Sequence, residues 1–225
     1  MLQILRGSDY LKVSELNVGR EIYTVGHSNR KIADFLTLLR ASQIDAVADV
    51  RSTPYSRTNA QYDRESLIEQ LAKINIKYVF LGRELGGRPP ERSCYRDHGK
   101  VDYEKVACTT SFQEGLNRLE IGLQRNYRIA LTCSEKDPLR CHRAILIGRR
   151  LVERQIRVHH IIDHDCVETH DATAARLIKL LRISEIYESR PIAEQIELAY
   201  TIQGDNIAFE RQPRSPDPHR ALPLT

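Results

Sequence analysis

The feature that most limits the fold is an alternation of short, β-branched strand patterns with amphipathic helical ones. EIYTV (21–25) has the composition of a strand, apolar residues recur at helical spacing from Ile32 to Leu39, and IDAVADV (44–50) is a second strand. A strand, a helix and a strand in this order form a βαβ unit, whose two strands run parallel. The beginning of the pattern therefore predicts a parallel sheet.

The alternation continues along the chain. Further strands are predicted over 76–82, 128–133 and 158–163, and a capping box formed by Ser111 and Glu114 precedes an apolar helical stripe. Strands that alternate with helices favour an α/β sandwich with a largely parallel sheet and right-handed crossovers.

The length of the chain, 225 residues, suits one domain with additions. We expect an N-terminal extension over 1–20, one α/β domain over 21–190 and a C-terminal extension over 191–225, mobile from about residue 204, where a proline-rich segment begins. No apolar run approaches the roughly 20 residues of a membrane helix, and the N-terminus lacks the apolar middle of a signal peptide. The sequence thus predicts a cytoplasmic protein with no membrane partner, and it leaves the oligomeric state open.

Charge and cysteine content narrow the function classes. Thirty-four Lys and Arg against 30 Asp and Glu give a net charge of +4, which suits an anionic partner but is less than the dense basic stripe of a nonspecific nucleic-acid binder. Five cysteines without a CxxC pair do not make a disulfide framework. Neither GxGxxG nor a GxxxxGKS or GxxxxGKT loop occurs, so the sequence assigns no cofactor.

Residues able to do chemistry follow four of the predicted strands. Ligands bind at the carboxyl ends of parallel strands, so we expect these residues to surround one pocket at one edge of the sheet. They are His27 and Ser28 after the first strand, Asp49 and Arg51 after the second, Gly86 and Gly87 after the third, and Cys133 and Glu135 after the fourth.

Four ordered motifs carry a resemblance to a known family. The chain resembles the family catalogued as domain of unknown function 488 in YTVGHSNRKIADFLTLL, DVRSTPYSR, FLGRELGGR and ALTCSEKDPLRCHRAIL, which span roughly residues 21–163. The resemblance implies a Rossmann-like, three-layer α/β core with a shared pocket, and the family brings no agreed reaction. The segments before residue 21 and after about 165 lie outside it.

Two arginines of this set have the chemistry of anion binding. The guanidinium groups of Arg51 and Arg57 can bind phosphate or carboxylate through two parallel hydrogen bonds. In the alternative, Arg51 pairs with Asp49 or Glu135 and only braces the loops, while Asp49 orients Arg51 or His27. We expect Arg51 to bind a ligand, and for Arg57 both interpretations stay open.

The candidates for catalysis are a thiol, an imidazole and a carboxylate. Nearby arginines and a helix N-terminus favour the Cys133 thiolate, although inert packing is the interpretation that we favour for this cysteine. The Cys-x5-Arg loop of phosphatases is not present, because six residues separate Cys133 from Arg140. For proton transfer, His27 titrates near neutrality without special tuning, whereas Glu135 would need burial.

A metal site is the third interpretation of the same segment. Sulfur and imidazole donors are available from Cys133, Cys141, His142 and His27, but the spacing of these residues is not a usual zinc pattern. Consecutive helical residues point about 100° apart, so Cys141 and His142 should not share one ion. We therefore expect no metal; His142 would be a hydrogen-bond partner beside the ligand, and Arg143 would bond to loop carbonyls or to a ligand anion.

The long loop over 83–100 adds basic and aromatic residues, which suit a nucleotide because bases stack on aromatic rings.

The whole pattern favours an enzyme, a hydrolase or group transferase, that acts on a small anionic or nucleotide-like ligand in a polar pocket. Two alternatives stay open. One is a noncatalytic nucleic-acid-binding or regulatory module that uses the basic loop and the tail, and the other is a metal-dependent enzyme.

Overall fold

The computed structural model describes residues 20–211, and within them a six-stranded sheet forms the centre of the fold. Its strand order is β3-β2-β4-β1-β5-β6, with five strands parallel and β6 antiparallel to β5. The strands are β1 (Glu21–Gly26), β2 (Ala46–Asp49), β3 (Lys77–Phe80), β4 (Ile129–Cys133), β5 (Arg157–Asp163) and β6 (Cys166–Thr169). The largely parallel sheet predicted from the sequence is confirmed.

Helices cover both faces of the sheet and complete a three-layer α/β sandwich. A π-helical turn over Arg143–Gly148 runs directly into α5. The helices are α1 (Ile32–Ala41), α2 (Arg64–Ala72), α3 (Tyr103–Ala107), α4 (Thr110–Gln124), α5 (Arg149–Glu153), α6 (His170–Leu180), α7 (Ile183–Ile186) and α8 (Ile192–Ile207).

The period-two alternation of the strands produces two separate cores. On β4, Leu131 packs in one core with Phe112 and Leu116 of α4, and the next-door residue Ala130 packs in the other with Phe35 and Leu38 of α1. Successive strand residues point to opposite faces, so a sheet with helices on both sides must be apolar throughout. This explains why the amino-acid sequences of the central strands are almost unbroken apolar runs.

Two expected boundaries need correction. Helix α4 begins at Thr110 and is capped by Thr109, whose Oγ1 accepts from the Phe112 N–H at 3.2 Å, so the predicted capping box at Ser111 is wrong. Helix α8 runs to Ile207, and Phe209 packs against the core, so regular structure continues past residue 204. The remainder of the tail and nearly all of the N-terminal extension, residues 212–225 and 1–19, lie outside the described residues.

Among the helices within residues 20–211, none combines the length and the apolar sequence that crossing a membrane requires.

A chain of buried polar groups joins the sheet to the C-terminal helices. Thr24 Oγ1 lies 2.7 Å from His160 Nδ1, His160 Nε2 lies 3.0 Å from His170 Nδ1, and His170 Nε2 lies 2.7 Å from the Tyr200 hydroxyl. Burial lowers the pKa of His170 to about 4 and holds the pKa of His160 well below its usual 6.5. Both imidazoles are therefore neutral at pH 7.

We predict that the protein loses stability as the pH falls from 6.5 towards 4. Unfolded histidines take up protons below 6.5 and the folded ones only near 4, so the unfolded state binds more protons in this window. The free energy of unfolding should fall by about 1.4 kcal/mol per pH unit for each such histidine. Guanidinium titrations at several pH values in this window measure the free energy of unfolding. It should fall less steeply with pH in His170→Gln than in the wild type, and as steeply as in the wild type in the control His98→Gln, which changes an exposed histidine. An equal pH dependence in His170→Gln and the wild type would contradict this.

Candidate functional site

One cavity of about 670 Å³ lies at the edge of the sheet where β1, β2 and β4 end, which we call the carboxyl edge. Its volume is that of a small-molecule site. Six residues predicted from the sequence line this cavity: Arg51, Arg57, Gly87, Cys133, Glu135 and His142. Five others lie outside its lining: His27, Ser28, Asp49, Gly86 and Arg143.

Two glycines let the loops of this edge come together. A Cβ on Gly26, the last residue of β1, would lie 1.8 Å from the Glu135 carbonyl oxygen of the loop after β4. A Cβ on Gly86 would lie 2.3 Å from the Gly82 carbonyl and 2.5 Å from Ser52 Oγ. The absence of a side chain at Gly86 thus lets its loop pack against the loop after β2, and its predicted contact with a ligand stays a prediction.

A buried ion pair holds the end of β2. Arg51 Nη2 donates to Asp49 Oδ2 at 2.6 Å and Arg51 Nε to Asp49 Oδ1 at 2.9 Å, and the Tyr78 hydroxyl also donates to Oδ2, at 2.8 Å. Asp49 is fully buried. The two-bond fork of Arg51 is therefore occupied by Asp49, the bracing arrangement, although Arg51 still lines the cavity.

His27 is enclosed behind this pair. Its Nδ1–H donates to the Ser28 carbonyl at 2.8 Å, its Nε2 accepts from Arg51 Nη1 at 3.4 Å, and its ring stacks on Tyr62 at 4.1 Å between centroids. Burial lowers the pKa of His27 to about 4. The prediction that His27 titrates near neutrality is wrong, because the sequence did not reveal that the ring is only 2% exposed. Ser28 beside it has a positive φ of 51° and is half-buried outside the cavity.

Arg143 also lies behind the cavity. Its guanidinium is fully buried and donates to the carbonyls of Glu135 and Lys136 and, at 3.3 Å, to Thr24 Oγ1. Of the two predicted roles, bonding to loop carbonyls is the one observed. Ligand binding by this side chain is not compatible with its burial.

Two thiols and an imidazole meet at the inner end of the cavity, and we call Cys133, Cys141 and His142 the thiol cluster. His142 Nδ1 lies 3.8 Å from each of the two sulfurs, while its Nε2–H donates to the Val50 carbonyl at 3.0 Å. A carbonyl can only accept, so Nε2 carries the proton and the Nδ1 lone pair faces the sulfurs. Both thiols are free and buried, Cys133 being 7% and Cys141 3% exposed.

The two thiols differ in acidity. The hydrogen bond with Cys141, together with burial, raises the pKa of Cys133. Burial opposes ionisation of Cys141 as well, but the bond from Cys133 and the charge of Arg143 hold its pKa well below the usual value. Cys141 is thus the more acidic of the two thiols, whereas the sequence raised a thiolate only at Cys133 and favoured packing there. Cys141 lies just before the helical turn over Arg143–Gly148, and a helix N-terminus favours a thiolate.

Two further arginines add positive charge to the cavity: Arg88 belongs to the basic loop predicted to suit a nucleotide, whereas the sequence assigned Arg140 no ligand role. Arg88 and Arg140 line the cavity together with Arg57, and within residues 20–211 none of these three forms an ion pair. Glu135 is the carboxylate of the lining, and its side chain is exposed, not buried as its predicted acid–base role requires. The cavity therefore has a strong excess of positive charge.

We predict that Arg51→Ala lowers the free energy of unfolding by roughly 3 to 5 kcal/mol, because it leaves the buried Asp49 carboxylate without its partner. The double variant Asp49→Ala/Arg51→Ala should cost less than Arg51→Ala alone, since it leaves no unpaired buried charge. Guanidinium denaturation of the three proteins measures both effects. An Arg51→Ala protein within about 1 kcal/mol of the wild type would show that the pair does not brace the edge.

Comparison with known proteins finds a match to one family model, but no match to an individual curated protein or solved structure. A family model described as "Domain of unknown function DUF488" matches residues 31–149, which include Asp49, Arg51, Gly87 and the whole thiol cluster, while His27 precedes the match. The match covers more than half of the chain, and the predicted resemblance is confirmed: the chain belongs to the DUF488 family.

Proposed function

We propose that the protein binds a small anionic molecule in the cavity and acts on it as a hydrolase or group transferase. The observation that carries the proposal is the charge of the lining: Arg57, Arg88 and Arg140, which form no ion pair within residues 20–211, stand against the carboxylate of Glu135, while Asp49 neutralises Arg51. Arginine side chains that are free of protein carboxylates offer forked donors that fit phosphate and carboxylate oxygens.

A nucleotide or another phosphate with a flat group fits the rest of the lining. Tyr55, Tyr103 and Phe209 line the same cavity as the arginines, and Arg88 stacks over the Phe209 ring with 4.4 Å from the guanidinium carbon to the centroid. Aromatic rings are the usual stacking partners of bases. The combination supports a ligand that has both a phosphate and a ring.

The thiol cluster is the reactive end of the cavity in this proposal. Glu135 is exposed and His27 is enclosed, so we assign attack, proton acceptance or coordination to Cys133, Cys141 and His142, whose donor atoms lie together in the cavity lining. Hydrolysis and group transfer both need such a group beside the bound anion.

The nucleic-acid alternative has less support. Arg96 and Lys100 of the basic loop pair with Asp205 of α8, at 2.6 and 3.3 Å, and Arg96 also faces Asp102. These ion pairs reduce the charge that the loop can offer to a phosphate backbone. A cytoplasmic location stays part of the proposal, since the free cysteines suit a reducing compartment.

We predict that Arg57→Ala/Arg140→Ala weakens the binding of inorganic pyrophosphate or a nucleoside diphosphate by about 10-fold or more, because each charged hydrogen bond contributes about 1.5 to 3 kcal/mol. Titration calorimetry and thermal shift measure the loss. The matched control is Arg83→Ala, an exposed arginine outside the cavity, which should bind like the wild type. Equal affinity in the double variant and the wild type would refute the anion site.

A further inference from the structure

We propose that the thiol cluster is a binding site for a zinc-class divalent cation, held by Cys133 Sγ, Cys141 Sγ and His142 Nδ1. The proposal deepens the proposed function, since it rests on the same reactive end of the cavity and gives that end a chemistry. It also reverses the expectation from the sequence that these residues would not share an ion.

The distances between the donor atoms suit one ion. All three donor atoms lie within 4.8 Å of one another, and Nδ1 is 3.8 Å from each sulfur. With Zn–S of about 2.3 Å and Zn–N of about 2.0 to 2.1 Å, a tetrahedron has edges of about 3.5 to 3.8 Å. The observed separations need only small side-chain shifts to reach that geometry.

The imidazole is already oriented as a ligand. The Val50 carbonyl accepts the Nε2–H of His142 at 3.0 Å, which fixes the tautomer and leaves the Nδ1 lone pair directed at the two thiols. A hydrogen bond from the second ring nitrogen to a carbonyl or carboxylate is the usual support of a metal-bound histidine.

The backbone conformation of Cys141 allows its side chain and that of the adjacent residue His142 to point towards the same ion. Cys141 has extended angles, φ −139° and ψ 138°, and only His142 has helical angles. The 100° separation of consecutive helical residues therefore does not apply, and both side chains reach the same point. The Arg143 N–H, 3.5 Å from Cys141 Sγ, donates to that sulfur and suits a thiolate ligand.

The charge of the site also fits a dication. Arg140 lines the same cavity and forms no ion pair within residues 20–211, so a dication whose charge is not neutralised would be repelled there. Two thiolates neutralise a dication, and the resulting neutral centre can lie in a buried, arginine-rich surrounding.

The cluster has three protein donors, which is the arrangement of a catalytic zinc and not of a structural one. No other group of three or more His, Cys, Asp or Glu donors with this closeness occurs within residues 20–211. Cys133, Cys141 and His142 line the cavity, and a fourth coordination position open to the cavity would take water or an oxygen of the bound anion. The arginines would then hold the anion beside a Lewis acid.

The test uses the reduced full-length protein with Zn²⁺ and with Co²⁺ as the probe. We expect one equivalent to bind, an X-ray absorption spectrum with two sulfur neighbours at about 2.3 Å, and a thiolate-to-cobalt charge-transfer band. Cys133→Ser and Cys141→Ser should each bind at least about 100-fold more weakly. The matched control Cys108→Ser/Cys166→Ser, which removes two exposed thiols, should bind like the wild type.

The X-ray absorption spectrum of the wild type keeps the test decisive even if a serine variant does not fold. Failure of the folded, reduced wild type to bind zinc, or a first shell without two sulfurs, would overturn the proposal. The anion site is tested separately, because Arg57→Ala/Arg140→Ala should lose pyrophosphate binding and keep the cobalt spectrum. If the wild type gives no thiolate-to-cobalt band but still binds pyrophosphate, the metal proposal fails while the anion site stands.

Discussion

The buried ion pair between Asp49 and Arg51 is the interaction on which the carboxyl edge depends. It occupies the last residue of β2 and the second residue after it, and the residue between them, Val50, supplies the carbonyl that orients His142. Val50 N–H in turn donates to the Thr132 carbonyl of β4 at 3.1 Å. The segment 49–51 thus holds the Arg51 guanidinium in place, orients the His142 imidazole and bonds to the neighbouring strand β4. A buried pair of this kind stabilises only while both partners are present, so the edge is sensitive to either substitution.

The strand order explains why this edge collects the chemistry. Strand β4 lies between β2 and β1, so the ends of three parallel strands bring Asp49, Cys133 and Gly26 side by side. Their loops come from distant parts of the sequence, and the close approach at Gly26 lets the loop after β4 fold back over β1. The layers and parallel strands are those of a three-layer α/β sandwich, while the position of β4 differs from the 3-2-1-4-5-6 order of dinucleotide-binding folds.

The sequence predicted the fold well because the two periodicities are strong. The five parallel strands begin and end within two residues of their predicted limits, since apolar runs between helical patterns have few other interpretations. Strand β6 was missed because its residues, CVET, are largely exposed and have no apolar alternation. The gathering of Arg51, Cys133 and Glu135 followed from the rule on strand ends alone.

The side-chain roles at the site were harder to predict because they depend on direction and burial. His27 and Arg143 have the residue types of a reactive site, yet one is enclosed by Tyr62 and Arg51 and the other binds loop carbonyls. Cys141 was discounted on the assumption that it is helical. Its extended backbone, fixed by the short turn over Pro138–Arg140, turns the sulfur towards His142.

In the proposed function, the arginine-lined cavity at the carboxyl edge binds an anion beside the thiol cluster. The most direct measurement is a crystal structure of the protein soaked in tungstate, a phosphate analogue whose anomalous scattering locates it without bias. We predict a peak within hydrogen-bond distance, about 3 Å, of guanidinium nitrogens that line the cavity, next to Cys141 and His142. Tungstate bound only at other surfaces, with none in the cavity, would contradict an anion site at the carboxyl edge.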